Sequence, residues 1–515
     1  MKSRTWMWTT AVYLFAALAM PALTAAQDNS SPEHRYKHHQ YKLIDIGTLG
    51  GHYDFFNFSG AQNNLLSSKG VVAGSSDTTM VDPYCFGNPD CFVEHAFQWQ
   101  DGILTDLGAL PGGANSNAFA INARGVIAGL AQNGAIDPLL LSSPPPWGVQ
   151  VMHAVTWEHG NITDLGTLGG YLSVAQAIND KGQVVGLALN DIPDPVSAFG
   201  LYVGTQMRAF LWRNGAMQDL GTLGGPDAWA YLLNQRGQVG GIAFTNSVIN
   251  PATGVPTTDP FLWDAGNMQD LGTLGGTYGF ANGLNARGQV VGQSNLAGDL
   301  TFHPFSWTKS GGMRDLGTFG GDNGQANALN DAGEIVGKAD FPGSQIHDGF
   351  VWNHGVMTDL GTVDGDPCSD ANGINSAGQV VGTSSNCHMA VHAFLWENGG
   401  PMVDLNTLIV PLQPSVRVDG SDSYINDQGE ILSSGVLQNG DVHAFLLIPC
   451  DDKHPGQCED YSMIEGAAPQ ISAPAAEFPA VMKQDGGSPV SPVERFRTMM
   501  RQRYHLPGQP AAPRD

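Results

Sequence analysis

Histidines recur in this sequence at one fixed position, where they could bind a metal or transfer protons. The position carries histidine in five copies: His95, His153, His303, His392 and His443. Imidazole nitrogens are common metal ligands and acid–base groups. However, Arg208, Asp259 and Asp348 replace the histidine in other copies, which argues against a chemical requirement in every copy. We expect hydrogen bonds to neighbouring backbone instead of a metal site.

Aspartates recur at a second position, each followed by an apolar residue and, in most copies, by glycine: Asp45, Asp106, Asp164, Asp219, Asp270, Asp315, Asp359 and Asp404. An aspartate before such a turn typically caps it through the carboxylate, and we favour this role over a ring of cation ligands. A separate loop holds Asp364, Asp366 and Asp370, which are ligands of the type that Ca²⁺ prefers. This loop lacks the full spacing of a known calcium loop. Calcium here is the one cofactor hypothesis, and no other cofactor is predicted.

These residues belong to a unit that occurs eight times. A copy reads His-Ala-Phe-Leu-Trp, a few residues, and then Asp-Leu-Gly-Thr-Leu-Gly-Gly. Between successive copies lies a second element, Ile-Asn-x-x-Gly-Gln-Val-Val-Gly, and the period falls from about 60 to about 45 residues. Periods in this range are typical of propellers, solenoids and arrays.

Each unit is predicted to form four short strands. In residues 175–186, Asn179 can accept a backbone N–H two residues on, and Gly182 supplies the positive φ of a hairpin turn. The third strands are apolar on both faces, with Phe210 and Trp212 on one of them, so each sheet must lie between two others. Seven of the eleven tryptophans fall on third strands, and first strands are rich in small residues. This distribution suits gaps that widen away from a central axis.

The predicted fold class is therefore all-β, a β-propeller of eight four-stranded blades. The last unit has a hairpin at 424–432 and a third strand at 443–447, but no fourth strand follows. A fourth-type strand at 41–47 has no hairpin before it. This N-terminal strand would complete the eighth blade and close the ring, which leaves only short protected edges. An open β-solenoid is the alternative.

At these motifs the chain resembles the HAF family of bacterial extracellular repeats. The His-Ala-Phe signature, intact or with one residue changed, begins at His95, His153, Arg208, His303, His392 and His443. The resemblance spans residues 41–448 and implies a secreted context, but it brings no assigned activity and no catalytic residues. The equivalent positions Asp259 and Asp348 depart from the signature.

Insertions distinguish the first four units from the last four. They lie between second and third strands, at 75–94, 130–152, 187–207 and 242–258, and strand parity places all four on one face. The loops after Gly-Gly share that face. Apolar residues that no blade needs for its own packing form the candidate binding set: Tyr84, Phe86, Leu139, Leu140, Leu141, Trp147, Phe199 and Tyr202 on the insertions, and Tyr171, Trp229 and Tyr278 after Gly-Gly, nearer the axis. Insertions on one face of a repeat protein often form its binding face. The alternative is that the loops pack on one another as a lid.

The six cysteines suit three disulfides and an oxidising compartment. Two pairs are close in sequence: Cys85 with Cys91, and Cys450 with Cys458. Cys368 and Cys387 lie in two connections that emerge on the same face, so a bridge between them is geometrically reasonable.

The segments outside the repeats indicate export. Residues 1–26 contain Lys2 and Arg4, an apolar stretch and a small-residue cleavage site, the pattern of a secretory signal peptide and not of a membrane span. The predicted organisation continues with a polar leader at 27–40, the repeat domain at 41–449, a Cys-clipped and Pro/Ala-rich linker at 450–492, and a basic tail at 493–515. The tail is either a short amphipathic helix or a solvated segment. The formal charge of −25 argues against nucleic acid or an anionic membrane as a partner of the body.

We therefore predict a secreted or periplasmic, monomeric binding module that contacts an extracellular protein, peptide or glycan through loops on one propeller face. The alternative is an extracellular carbohydrate-active hydrolase or lyase with a site in the central funnel, because propellers can host such sites. The sequence contains no Gly-x-Ser-x-Gly, His-Glu-x-x-His or phosphate loop, and no catalytic residue is assigned.

Overall fold

The computed structural model describes the repeat region with short gaps. The described residues are 37–55, 65–82, 91–136, 150–194, 204–251, 253–397, 399–411, 413, 415–420, 423–451, 453–454, 458 and 464–465. The predicted signal peptide and basic tail lie outside them. Helical structure in these residues is confined to a 3₁₀ turn, Leu405–Leu408, which Asp404 caps. No helix in the described chain has the length and hydrophobicity of a transmembrane segment.

The described strands form eight antiparallel blades, numbered here along the chain. The first strands of blades 1–8 are Gly50–Phe55, Ser116–Ile121, Gly169–Ile178, Ala228–Leu233, Gly275–Leu284, Gly324–Leu329, Cys368–Ile374, and, in two pieces, Val416–Val418 with Tyr424–Ile425. The second strands are Val72–Val81, Ile127–Ile136, Val184–Pro193, Val239–Ile249, Val290–Leu296, Ile335–Asp340, Val380–Ser385 and Ile431–Leu437.

The outer half of each blade comprises its third and fourth strands. The third strands are Phe92–Gln100, Gln150–Glu158, Thr205–Arg213, Pro256–Asp264, Phe302–Thr308, His347–Asn353, Ala390–Trp396 and Val442–Pro449. The fourth strands are Ile103–Asp106, Asn161–Asp164, Ala216–Asp219, Asn267–Asp270, Gly312–Asp315, Val356–Asp359, Val403–Asp404 and, in blade 8, Tyr41–Asp45. A further short pair joins Lys37–His38 to Ile464–Glu465.

Packing within a blade explains why both repeated elements are needed. In blade 3, Gly186 at the end of the Val-Val-Gly element lies opposite Phe210 of the third strand. A Cβ on Gly186 would lie 2.9 Å from the Phe210 ring and 1.8 Å from the carbonyl oxygen of Val174. Glycine therefore leaves room for the buried phenylalanine of the Ala-Phe-Leu-Trp strand. The same Gly–Phe pairing recurs in blades 1, 4, 5, 6 and 7.

The N-terminal strand closes the ring, as predicted. Tyr41–Asp45 pairs antiparallel with the third strand of blade 8, from Tyr41 opposite Pro449 to Asp45 opposite Phe445. Val442 of that third strand also bridges Tyr53 of blade 1, so the last blade lies directly against the first. The fold is an eight-bladed β-propeller and not an open solenoid.

Asparagine side chains join the inner turns, which connect first and second strands. Asn179 Oδ1 accepts the backbone N–H of Lys181 at 3.1 Å, as the sequence predicts, while its Nδ2 donates to the carbonyl oxygen of Asn234 in the next blade at 3.2 Å. The donor bond to the following turn recurs from Asn122, Asn234, Asn285, Asn330, Asn375 and Asn426. Seven of the eight turns thus bond to the next one, and the eight turns form the innermost ring around the axis.

Candidate functional site: the insertion face

Strand parity divides the ends of the blades into two faces. Connections from second to third strands, and from fourth strands to the next blade, emerge on one of them, called here the insertion face. The inner turns and the turns between third and fourth strands emerge on the other, the turn face. The disulfide between Cys368 and Cys387, predicted from this parity, is present with a Cα–Cα distance of 5.0 Å.

The other two predicted disulfides concern the loops beside the ring. The Cys450–Cys458 bridge is present, with a Cα–Cα distance of 5.4 Å, and it follows the third strand of blade 8. Cys91 is disulfide-bonded, but its predicted partner Cys85 lies outside the described residues.

The insertions of blades 1–4 begin as extensions of the blades. Their second strands have ten or eleven residues, compared with six or seven in blades 5–8. After an irregularity, pairing resumes at Val81↔Phe92, Ile136↔Gln150, Pro193↔Thr205 and Ile249↔Pro256. Four adjacent hairpin arms thus rise from one face. Eight predicted binding residues lie outside the described parts of these arms: Tyr84, Phe86, Leu139, Leu140, Leu141, Trp147, Phe199 and Tyr202.

Exposed apolar side chains concentrate on this face. Eleven large hydrophobic side chains are exposed among the described residues, and nine of them lie on or beside the second-to-third connections: Met80, Val81, Ile136, Ile192, Val248, Ile249, Leu300, Ile346 and Met389. Val81 and Val248 are 71% and 73% exposed. The remaining two, Ile103 and Val356, begin fourth strands at the turn face. Single exposed apolar residues are ordinary, but a clustered set is typical of an interaction surface.

The axial aromatics of the candidate set have a different place from the one predicted. Tyr171, Trp229 and Tyr278 belong to first strands and not to exposed loops. Trp229 and Tyr278 are buried in one hydrophobic cluster that spans blades 2–5, and Tyr171 packs against it. Within it, the rings of Tyr231 and Phe280 stack at 5.2 Å. The rings of Trp229 and Tyr278 therefore fill gaps between blades, which corrects their assignment as surface binding residues, whereas Tyr171 is half-buried at the edge of this cluster.

The two repeated polar positions meet on the insertion face. In five blades a basic side chain contacts the aspartate of the Asp-Leu-Gly element at 2.8–3.0 Å: His95–Asp106, His153–Asp164, Arg208–Asp219, His303–Asp315 and His443–Asp45. The hydrogen bond to backbone that the sequence predicts is present for His95, whose Nε2 lies 3.0 Å from the carbonyl oxygen of Ala114. The contact between the histidine and the aspartate of the same blade was not predicted. The spacing of eleven or twelve residues across a tight hairpin could have indicated it.

The aspartates also cap the following turn, as predicted. In seven blades the carboxylate accepts the backbone N–H two residues on, at 2.7–2.9 Å, from Gly47, Gly108, Gly166, Gly221, Gly272, Gly317 or Gly361. In blade 7, Asp404 caps Asn406 in the same way at 2.9 Å. Turn capping and ion pairing together explain why aspartate recurs at this position, and a shared role as cation ligands is not needed to explain it.

The calcium hypothesis is not supported by the geometry. Asp366 accepts hydrogen bonds from His392 and Ser384, both at 2.8 Å. Asp370 pairs with Lys338 at 2.7 Å and with His347 at 3.3 Å. Burial raises the pKa of Asp370, but the charge of Lys338 and the hydrogen bond with His347 outweigh burial and hold the pKa well below its usual range. Asp364, Asp366 and Asp370 therefore do not converge, and the described residues contain no group of three His, Cys, Asp or Glu side chains placed to hold a metal.

Blades 4 and 6 place two carboxyl groups where other blades have an ion pair. Asp259 lies beside Asp270, and Asp348 lies beside Asp359. Burial, and then the neighbouring aspartate, raises the pKa of both Asp259 and Asp348 to about 7. Each pair thus holds a proton through much of the acidic range, because two adjacent carboxylates repel each other.

Two carboxylates break the repeat at or just before first strands. Asp54 accepts the N–H of Ala444 at 2.9 Å, as Ser173 accepts the N–H of Ala154 in blade 3. Asp227 accepts the N–H of Met207 at 2.7 Å, where asparagines such as Asn115 accept the equivalent N–H in other blades. Burial raises the pKa of both aspartates to about 7. They stand in blades 1 and 4, each bonded to the preceding blade, so they do not form an acid–base pair in the central funnel.

Comparison with known proteins adds little to this picture. No family model matches the chain, and no curated protein is detectably similar to it in sequence. Among solved structures, the β-propeller domain of the Trilobed protease from Pyrococcus furiosus is 10% identical, with a TM-score of 0.39 over 71% of this chain and 95% of that one. A putative gluconolactonase is 8% identical, with a TM-score of 0.28 over 80% and 92%. TolB from Acinetobacter baumannii is 12% identical, with a TM-score of 0.27 over 80% and 97%. Scores this low carry no argument about function, and the fold assignment rests on the strand pairing.

Proposed function

We propose that this protein is an exported binding module whose insertion face holds an extracellular protein or peptide. The observation that carries the proposal is the clustering of nine exposed aliphatic side chains on one face, six of them on the arms of blades 1–4. Burying such side chains against apolar groups of a partner is favourable, by about 25 cal/mol per Å². Aliphatic groups of this kind match the side chains of a polypeptide better than the hydroxyls of a neutral sugar.

Export is supported by the cysteine chemistry. Two disulfides lie in the described chain, and stable disulfides are typical of the periplasm and extracellular space. The signal-peptide pattern of residues 1–26 and the resemblance to HAF repeats point the same way. The alternative function, a funnel hydrolase or lyase, lacks a specific supporting observation, because the repeat-breaking carboxylates Asp54 and Asp227 stand in separate blades.

Site-specific photo-crosslinking tests the proposal. A photoreactive amino acid replaces Val81, Ile192 or Val248 on the arms, and Ile103 or Val356 on the turn face serves as the matched control, because all five side chains are at least half exposed. In the producing organism, we expect the three arm positions to give an adduct of one common mass and the control positions to give none. Equal adducts from both sets would contradict the proposal. Adducts only at twice the protein's own mass would instead assign the face to self-association.

A further inference from the structure

A cationic arc runs across five adjacent blades on the turn face. The third residue of the inner turn is basic in blades 1–5: Lys69, Arg124, Lys181, Arg236 and Arg287. All five side chains are exposed. The equivalent residues of blades 6–8 are the uncharged Ala332, Ala377 and Gln428. Positive charge is therefore segregated to one side of the innermost ring in a protein whose net charge is −25.

The five basic side chains of this arc take part in none of the ion pairs of the described chain. Two carboxylates lie beside the arc, and both accept backbone N–H groups: Asp180 that of Ala123 and Asp331 of blade 6 that of Ala286, each at 2.8 Å. A cation that served only stability would be expected to contact a partner within the protein. These side chains are instead presented to solvent.

The ring geometry spaces the five charges along a curve. The inner turns of blades 2–5 are bonded in sequence through their asparagines, so Arg124, Lys181, Arg236 and Arg287 follow one another from blade to blade. Lys69 lies on the inner turn of the neighbouring blade 1. Two guanidinium groups also extend along the ring. A Cβ on Gly182 would lie 2.9 Å from Arg124 Nη2, and a Cβ on Gly333 would lie 2.8 Å from Arg287 Nη2. Arg124 therefore covers the inner turn of blade 3, and Arg287 covers that of blade 6, so both guanidinium groups lie along the ring.

We propose that this arc binds a linear anionic polysaccharide. Five cations spaced along a curve match a polymer with charges at intervals better than one compact anion. The strongly acidic body repels every polyanion, and the repulsion grows with charge density, so a polymer with widely spaced charges is favoured over a dense polyphosphate. Single-stranded nucleic acid usually stacks its bases on aromatic side chains, but none of the exposed large hydrophobic residues in the described chain is aromatic. A carboxylated or sulfated glycan needs only the cations, and the site is independent of the insertion face.

Titration of the mature full-length chain with fluorescent polygalacturonate tests this site. The test variant is Lys181→Gln with Arg236→Gln, and the control is Arg213→Gln with Lys309→Gln, which removes the same charge from exposed turns at the outer rim of the same face. At about 50 mM salt we expect the test variant to bind about tenfold more weakly and the control to stay within about twofold of wild type. Thermal unfolding verifies that both variants are folded.

Three results would overturn the proposal: absence of polygalacturonate binding at low salt, equal weakening in the two double variants, or tighter binding of a single-stranded oligonucleotide of the same length and charge. A sulfated dextran in parallel distinguishes sulfate from carboxylate as the preferred group, and neutral dextran should not bind. Replacing Val81, Ile192 and Val248 with serine should leave the glycan affinity unchanged. A loss there would move the glycan to the insertion face.

Discussion

Asn426 Nδ2 donates a hydrogen bond to the carbonyl oxygen of Ser67 at 3.1 Å, although the two residues are 359 positions apart in the chain. This bond joins the inner turn of blade 8 to that of blade 1. At the outer side of blade 8, Tyr41–Asp45 supplies the fourth strand. The ring is therefore closed both beside the axis, by a side chain, and farther out, by a strand.

An asparagine at position 67 should stabilise the protein, because it would complete the series of hydrogen bonds between neighbouring inner turns. Ser67 replaces asparagine in blade 1 and has no amide to donate to the turn of blade 2, although its Oγ accepts the N–H groups of Lys69 and Val71 as an asparagine would. We expect Ser67→Asn to raise the free energy of unfolding by about 1 kcal/mol, the usual net value of such a bond. Urea unfolding measures it, with Ser68→Asn as the control. A destabilised variant would show that blade 1 has no room for the link.

Removal of the closing strand should open the propeller. Deleting residues 41–47 leaves the third strand of blade 8 with an unpaired edge and removes the buried side chains of Tyr41 and Leu43 from their hydrophobic cluster. We expect a large drop in the thermal midpoint, whereas deletion of residues 27–33 should leave it nearly unchanged. If both deletions unfolded at the wild-type midpoint, the closed-ring architecture would be wrong.

Glu397 should hold the segment before the closing strand in a pH-dependent manner. It is 1% exposed and lies 3.0 Å from His39 Nδ1 and 2.8 Å from Gln379 Nε2. Burial raises the pKa of Glu397, but hydrogen bonds from His38, His39 and Gln379 outweigh burial and hold the pKa well below its usual range. The bond to Glu397 raises the pKa of His39. Both partners are thus charged from about pH 5 to the raised pKa of His39.

We therefore expect Glu397→Gln to destabilise the fold by about 2–4 kcal/mol in that window, and by less as rising pH deprotonates His39. Denaturant unfolding at several pH values gives the profile. His52→Gln, which removes an exposed contact with Asp441, should change stability by less than about 1 kcal/mol. A Glu397→Gln loss that was constant from pH 5 to 9 would exclude the charged pair.

The paired aspartates of blades 4 and 6 should make the protein less stable as pH rises. The pKa of Asp259 and of Asp348 is about 7 in the folded protein, against an ordinary value of 3.8. The folded state therefore holds extra protons between about pH 4 and 7, and their contribution to stability is lost through that window. We expect Asp259→Asn with Asp348→Asn to stabilise the fold at pH 8 by about 1–2 kcal/mol and to flatten its pH profile.

Asp106→Asn is the matched control, because it should change the stability in the opposite direction. Burial raises the pKa of Asp106, but the hydrogen bonds from His95 and Gly108 outweigh it, and the pKa is lowered. This variant should lose stability near neutral pH, where the carboxylate is charged. If both sets of variants shifted the thermal midpoint in the same direction, the assignment of protonated pairs in blades 4 and 6 would fail.

The sequence predicted the fold better than it predicted the site. Periodicity, turn chemistry and the unpaired strand at 41–47 were sufficient for blade count and closure, because each is a local pattern repeated many times. The burial of Trp229 and Tyr278 could not be read this way, since it depends on contacts between neighbouring blades. The cationic arc could not be predicted for a related reason. Lys69 and Arg287 are far apart in sequence in a chain of negative net charge, and only the arrangement of the turns around one axis brings the basic residues onto one surface.

Exposed aliphatic side chains on the arms should supply most of the affinity for the partner. We would measure the affinity of the crosslinked partner for Val81→Ser with Ile192→Ser and Val248→Ser, and for Ile103→Ser with Val356→Ser on the turn face. We predict a Kd raised by about 100-fold in the first variant, because a few anchors supply most interface energy, and an unchanged Kd in the second, with both thermal midpoints near wild type. Equal affinity of the two folded variants would show that the arms do not bind the partner.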